Sequence, residues 1–269
     1  MMEREIKRAV REGYAQIAKQ AGSCCSVGGP CEATLSDDIH KRIGYSDEEI
    51  MAAPMESNLG LGCGNPLALA SIMLGETVLD MGSGAGLDCF LASRKVGEKG
   101  FVIGIDMTTE MVERARANAR KGSYKNIDFR QGELENMPVM DGIIDIVISN
   151  CVINLVPNKR SVFKEAYRVL KPGGRLMVSD IVLHRELPVA VKNSPEGYIG
   201  CLSGAVLREE YLEAIRSAGF QDVRVEEEAA YPLDPLIKGL QEPAVSKEGL
   251  LEIKSSVFSI KVSGAKPIA

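Results

Sequence analysis

The sequence has little of the residue most used for acid–base catalysis: 269 residues contain two histidines, His40 and His184, which both read as surface positions. That leaves scant material for a histidine-based triad or a two-histidine metal site. None of the seven cysteines forms a CxxC pair with another, which disfavours a zinc ribbon or a thioredoxin-type motif. Basic charge is not in surplus either. With 32 Lys and Arg against 37 Asp and Glu the formal charge is -5, so nucleic acid is not expected as a partner. The longest apolar stretch, Ile143 to Val156, is interrupted by Asp145, Asn150 and Asn154, and it is too short and too polar to span a bilayer. The N-terminus, MMEREIKRAVREGY, alternates charged with apolar residues and lacks the apolar core of an export signal. These absences together predict a cytoplasmic protein with no membrane contact. In a reducing compartment, grouped thiols mean metal binding, redox work or catalysis more often than disulfides.

What is present is organised around VLDMGSGAGLDCF, Val78 to Phe90. Two aliphatic residues run into Asp80, the chain turns through Gly82, Gly84 and Gly86, and helical spacing follows. A strand, a glycine turn and a helix N-terminus in that order let a ligand approach the backbone where N–H groups are unpaired.

The rest of the chain divides at about residue 75. Residues 1–74 read as a helical and loop-rich layer. Ile6, Val10, Tyr14 and Ile17 recur at helical spacing, predicting an amphipathic helix over Glu3 to Gln20 whose apolar face needs a partner. A loop with Cys24, Cys25 and Cys31 follows. Ser46 and Glu49 then form a capping-box pair ahead of a short helix, and LGLGCGNP is a second loop, holding Cys63. From residue 75 to 269 strands and helices alternate. Strands are predicted at Thr77 to Met81, Val102 to Asp106, Ile127 to Gln131, Ile144 to Ser149 and Arg175 to Leu183. Helices are predicted at Leu87 to Val96, Thr109 to Lys121, Lys159 to Leu170 and Leu207 to Ala218. The third helix is expected to stop at Lys171-Pro172-Gly173-Gly174. Two further strands, near 223–227 and 257–262, complete seven, and an insertion near 184–206 lies between. Alternation of this kind implies an α/β fold with a doubly wound, largely parallel sheet.

The glycines do not follow the dinucleotide fingerprint: they run GxGxG, and Leu87 stands where a third Gly or Ala would fall. Asp80, two residues ahead of the first glycine, suits a positively charged group better than a pyrophosphate. Asp106, 20 residues past Gly86 at the end of the second strand, is placed to accept bonds from ribose hydroxyls. DMGSGAG, Asp106, the NMP of Asn136 to Pro138 and the LKPGG of Leu170 to Gly174, taken in register, resemble the class I S-adenosylmethionine-dependent methyltransferases. The resemblance implies a seven-stranded Rossmann-like sheet with an antiparallel last strand. It also implies a ribose on Asp106 with Met107 beside it, and an adenine bordered by Glu133 and Leu134.

The acceptor is read from cysteines outside this motif. Cys151 follows the fourth strand in SNCVINLVP, Cys201 lies in GCLSGA, and Cys63 lies in GLGCGNP. Open parallel sheets bind ligands beyond the carboxyl ends of their strands, so three such thiols are placed to converge over the cofactor. Trivalent arsenic binds three thiolates and keeps a lone pair, so it needs no base at the moment of attack. SNCVINLVP, GCLSGA, GLGCGNP and VGEKGFVIGIDMT resemble the arsenite methyltransferases, from about Ile43 to Asp222. That resemblance implies Cys63, Cys151 and Cys201 as arsenic ligands and Asn150 near the cofactor. It implies arsenite or methylarsenite as substrate, and a thiol reductant of the glutathione or thioredoxin type as electron donor. Cys24, Cys25 and Cys31 compete for a redox role, while Cys89 reads as a buried structural thiol. A methyltransferase for an organic acceptor and a metalloid-binding protein without turnover stand as alternatives.

Overall fold

The computed structural model describes residues 3–20, 41, 43–188, 192, 198, 201–231 and 253–268. The readings made for Cys24, Cys25, Cys31 and His40, and for part of the 184–206 insertion, lie outside these residues. Strand β1 (Thr77–Met81) lies inside the sheet, next to its middle strand. Its Val78, Leu79 and Met81 are wholly buried, each stabilising the fold by about 1.5–3 kcal/mol. Strand β2 (Phe101–Asp106) pairs with it in parallel on one side and β4 (Ile144–Asn150) on the other. With β3 (Ile127–Gln131), β5 (Leu170–Leu183), β6 (Gln221–Ala230) and β7 (Val257–Ala265) the sheet order is β3-β2-β1-β4-β5-β7-β6. β7 is antiparallel to both of its neighbours and the other pairings are parallel. The chain leaves β1 in one direction and returns to start β4 in the other, which opens a crevice at the carboxyl ends of these strands.

The helices are α1 (Glu3–Gln20), α2 (Asp47–Ala52), α3 (Leu87–Val96), α4 (Thr109–Lys121), α5 (Lys159–Val169) and α6 (Arg208–Ser217). The expected capping box is complete, with Ser46 Oγ accepting from Glu49 N–H and Glu49 Oε2 accepting from Ser46 N–H, both at 3.1 Å. The apolar face of α1 finds its partner over the strand ends: Ile6 and Val10 are buried in the same cluster as Cys63, Cys151 and Cys201. Lys7 holds the helix there through Glu133 and Glu135, both at 2.8 Å.

Several boundaries shift from the expectation: β2, β4, α5 and α6 by a residue at one or both ends, β6 and β7 by two to three residues, and β5 by the most. α5 stops at Val169 as the breakers require, but β5 begins at Leu170 and not at Arg175. Leu170 pairs with Ile144 and Arg175 with Ile146, so Lys171-Pro172-Gly173-Gly174 bulges out of the parallel pairing. The glycines bond instead to the end of the chain: Gly173 N–H donates to Lys266 O at 3.0 Å, and Lys266 N–H donates to Gly174 O at 2.8 Å. The stretch is thus both a helix stop and a strand start. No helix among the described residues is long and apolar enough to cross a membrane.

Candidate active site

A cavity of about 310 Å³ opens over the carboxyl ends of β1, β2 and β4. Its floor is the glycine turn. Gly82 and Ser83 donate N–H bonds to Ile105 O at 2.8 and 2.9 Å, tying the turn to β2. Asp106 fixes it from the side: one carboxylate oxygen accepts from Gly84 N–H at 3.0 Å, the other from Thr108 N–H at 2.8 Å. Gly86, with φ +98°, caps α3. Leu134, Met107, Asp80 and Asn150 also line the cavity.

Two sequence-predicted residues reach the cavity with their polar groups already engaged. The Glu133 carboxylate accepts from Lys7 at 2.8 Å and Arg11 at 3.3 Å, and these cations hold its pKa below the usual range. It joins α1 to the loop after β3. Asn150 clamps a different loop: its Oδ1 accepts from Cys63 N–H at 3.0 Å, while Nδ2 donates to Gly64 O at 2.7 Å and to Tyr45 Oη at 2.9 Å. This latch carries Cys63 from the N-terminal layer to the end of β4.

Cys151 and Cys201 line one end of the cavity, and Cys63 packs in the same buried cluster beside them, all as free thiols. Cys151 N–H donates to Ser179 O at 2.8 Å, and Cys201 Sγ donates to Cys151 O at 2.9 Å. Cys63 Sγ and Cys151 Sγ lie within 4.8 Å of one another. The neighbouring Cys201 and Cys63 thiols, followed by burial, hold Cys151 well above the ordinary thiol range, and burial raises Cys63 as well. Cys151 and Cys201 occupy the left-handed region at φ 58° and 61°, a conformation that costs about 1–2 kcal/mol for a residue with a Cβ. Such strain collects at functional sites.

Several neighbours carry no signal in the sequence. Tyr14 of α1 reaches over to hydrogen-bond Cys201, and Tyr231 lines the same space. Beneath Asp80 lies Cys89, whose thiol donates to the Asp80 carboxylate at 3.2 Å. Burial, reinforced by the nearby Asp88 carboxylate, raises Asp80 well above the usual carboxyl range. Asp88 accepts from Tyr45 Oη–H at 2.6 Å and is itself pushed up to about 6 by burial. Asp180 on β5 is likewise raised to about 6 by burial.

The Asp88 shift has a measurable sign. A carboxyl that titrates near 6 when folded but near 3.8 when unfolded stabilises the fold fully below pH 3.8 and loses that contribution as pH rises through 6. The loss reaches about 3 kcal/mol for this one group. Urea titrations of wild type and Asp88→Asn from pH 4 to 7 should therefore show the variant gaining on wild type by up to that amount. Stability curves that run parallel across this window would show that Asp88 carries no such shift.

A methyltransferase domain family matches residues 73–219. The arsenite methyltransferase of Halobacterium salinarum is 43% identical over 229 residues, covering 82% of this chain and 59% of that protein. Human arsenite methyltransferase is 35% identical over 80% of the chain and 58% of its own length. The chain thus spans about three-fifths of the length of these curated relatives. Among solved structures, an arsenic(III) S-adenosylmethionine methyltransferase from Chlamydomonas reinhardtii superposes with a TM-score of 0.64 at 32% identity, covering 89% of this chain and 74% of that one. On this evidence the chain belongs to the arsenite methyltransferase family of the class I S-adenosylmethionine-dependent methyltransferases.

Proposed function

We propose that this protein transfers methyl groups from S-adenosylmethionine to trivalent arsenic held by Cys63, Cys151 and Cys201. The observation that carries the reading is the clustering of three thiols, from three separate segments, beside a cavity with the family's cofactor-binding glycine turn, two of them, Cys151 and Cys201, in its wall.

The cavity suits this cofactor, which carries a sulfonium and an ammonium group. Among the described residues its ionisable lining includes the carboxyls of Asp80, Asp88, Asp106, Glu133 and Glu135 against one cation, Lys7. A positive ligand beside Asp80 and Asp88 would also relieve their burial as charged groups. Nothing stands within 4 Å of where a Cβ on Gly84 would lie, so the turn presents bare backbone to the cavity. When bound, S-adenosylmethionine supplies an electrophilic methyl group. Asp106, already oriented by two backbone bonds, is assigned to the ribose, Asp80 to the ammonium, and Leu134 and Met107 to the apolar faces of the adenine.

At the other end, the three thiols exchange with the hydroxyls of arsenous acid and release three waters. The arsenic lone pair stays free, and α1, Tyr14 and Tyr231 keep water from it. Placing donor and acceptor in one cavity is worth up to about 7–11 kcal/mol of barrier. Conversion of the lone pair to an As–C bond, with cleavage of the sulfonium S–CH3 bond and departure of S-adenosylhomocysteine, oxidises arsenic by two electrons to the pentavalent state. Return to the trivalent state therefore needs a two-electron donor, for which we assign a thiol of the glutathione or thioredoxin type. A reducing, cytoplasmic setting belongs to the same reading, because the site works only with free thiols.

The test is direct. Protein incubated with arsenite, S-adenosylmethionine and excess thiol should yield methylarsenicals on speciation by mass spectrometry. Folded, cofactor-binding protein that yields none would overturn the assignment.

A further inference from the structure

We propose that the acceptor pocket also binds a thiophilic divalent cation, Zn²⁺ or Cd²⁺, through Cys63 Sγ, Cys151 Sγ and the Asp180 carboxylate, and that this ion competes with arsenite. The competition rests on the acceptor role given to these cysteines above, whereas cation binding rests on the donor geometry alone.

The two sulfurs and a carboxylate oxygen of Asp180 lie within 4.8 Å of one another. All three residues are buried, Asp180 to within 1% of full burial. Tetrahedral zinc, with bonds of about 2.3 Å to sulfur and 2.0–2.2 Å to oxygen, separates its donors by roughly 3.3–3.8 Å. The set closes on an ion with movements of about an ångström. The carboxylate is braced as ligating carboxylates are. Oδ1 accepts from Asn154 Nδ2 and from Ile181 N–H, both at 2.9 Å, and Oδ2 accepts from Tyr211 Oη–H at 3.1 Å.

Hardness separates the two ligands. Trivalent arsenic completes its pyramid with three sulfurs and gains little from a carboxylate, whereas zinc accepts mixed sulfur and oxygen donors. The divalent set, completed by Asp180, shares Cys63 and Cys151 with the arsenic set assigned above, which Cys201 completes. Charge also balances. The ion displaces two thiol protons to solvent, and a divalent cation with two thiolates and one carboxylate leaves a net charge of minus one. The ammonium of Lys159, buried and electrostatically coupled to Asp180, offsets it. No electron changes hands.

The test uses the reduced 269-residue chain in which Cys24, Cys25 and Cys31 are replaced by serine, titrated anaerobically with Co²⁺. One equivalent should give thiolate-to-cobalt charge transfer and the intense visible bands of a four-coordinate ion, both abolished by Zn²⁺ and by arsenite. Asp180→Asn should weaken Co²⁺ at least about tenfold while changing arsenite affinity, measured by equilibrium dialysis, by less than about threefold. Because this variant disturbs three buried hydrogen bonds, zinc-edge EXAFS on the zinc-loaded parent gives a second reading: two sulfurs with oxygen are expected. A shell of three or four sulfurs, or no cobalt binding, overturns the proposal. Intact cobalt binding in protein that makes no methylarsenicals would leave this site standing and remove the proposed activity.

Discussion

Cys151→Ser should lower arsenic methylation by at least about two orders of magnitude while leaving S-adenosylmethionine affinity within about twofold. Cys151 is the central thiol, with Cys63 and Cys201 both beside it. Its backbone is fixed by the bond to Ser179 O, and serine can keep that bond and the same φ of 58°. The fold should therefore survive, and the change falls on the ligand atom. A hydroxyl is a hard donor that trivalent arsenic takes poorly, so two thiols remain and the metalloid loses its fixed orientation toward the cofactor. Isothermal titration with the cofactor and product speciation under saturating thiol separate the two effects. A variant that retains more than about a tenth of wild-type turnover would show that the methyl acceptor is not held by Cys151, and would point to an organic acceptor.

The regular elements were legible because local chemistry dictates them. The bounds of α1, α3, α4, β1 and β3 follow from periodicity, caps and breakers, and in the structure they fall at the expected residues. The alternation implied a largely parallel sheet, and the resemblance to the class I methyltransferases implied seven strands with the last antiparallel, as the structure has it. What stayed hidden depends on approach between distant segments. The glycines of LGLGCGNP read only as loop, yet Ser179 Oγ lies 2.0 Å from where a Cβ on Gly64 would stand, so a side chain there would push Cys63 off the sheet. Asn150 reads as a cofactor neighbour and acts as the latch on that loop. Asp180 sits in an apolar strand with no motif around it. Only the pairing of β5 with β4 brings it under the cysteines. The KPGG stretch misled for a related reason: its glycines end a helix locally, but their backbone groups are claimed by Lys266, nearly a hundred residues on.

The second large effect couples the two halves of the site. Gly82 has φ +77°, and a Cβ there would meet Val152 at 2.4 Å from Cγ2 and 2.5 Å from Cβ. Val152 is β-branched, so it has no flexible end to move aside, and it directly follows Cys151. Gly82→Ala must therefore strain the cofactor turn, displace the acceptor loop, or do both. The left-handed conformation costs about 1–2 kcal/mol and overpacking about 1–3 kcal/mol, for an expected loss of about 2–5 kcal/mol. Gly84→Ala is the matched control: with φ +51° it pays the backbone strain, but no atom lies within 4 Å of the new methyl. It should lose only about 1–2 kcal/mol, and its damage should appear in cofactor affinity. Denaturant melts of both variants, read beside cofactor and arsenite binding, decide the matter. Gly82→Ala should weaken arsenite capture as well as the fold, because its methyl group acts through Val152 on Cys151. Equal stability losses in the two variants, or arsenite affinity unchanged in Gly82→Ala, would mean that the acceptor loop does not lean on the glycine turn and that the two ends of the cavity are positioned independently.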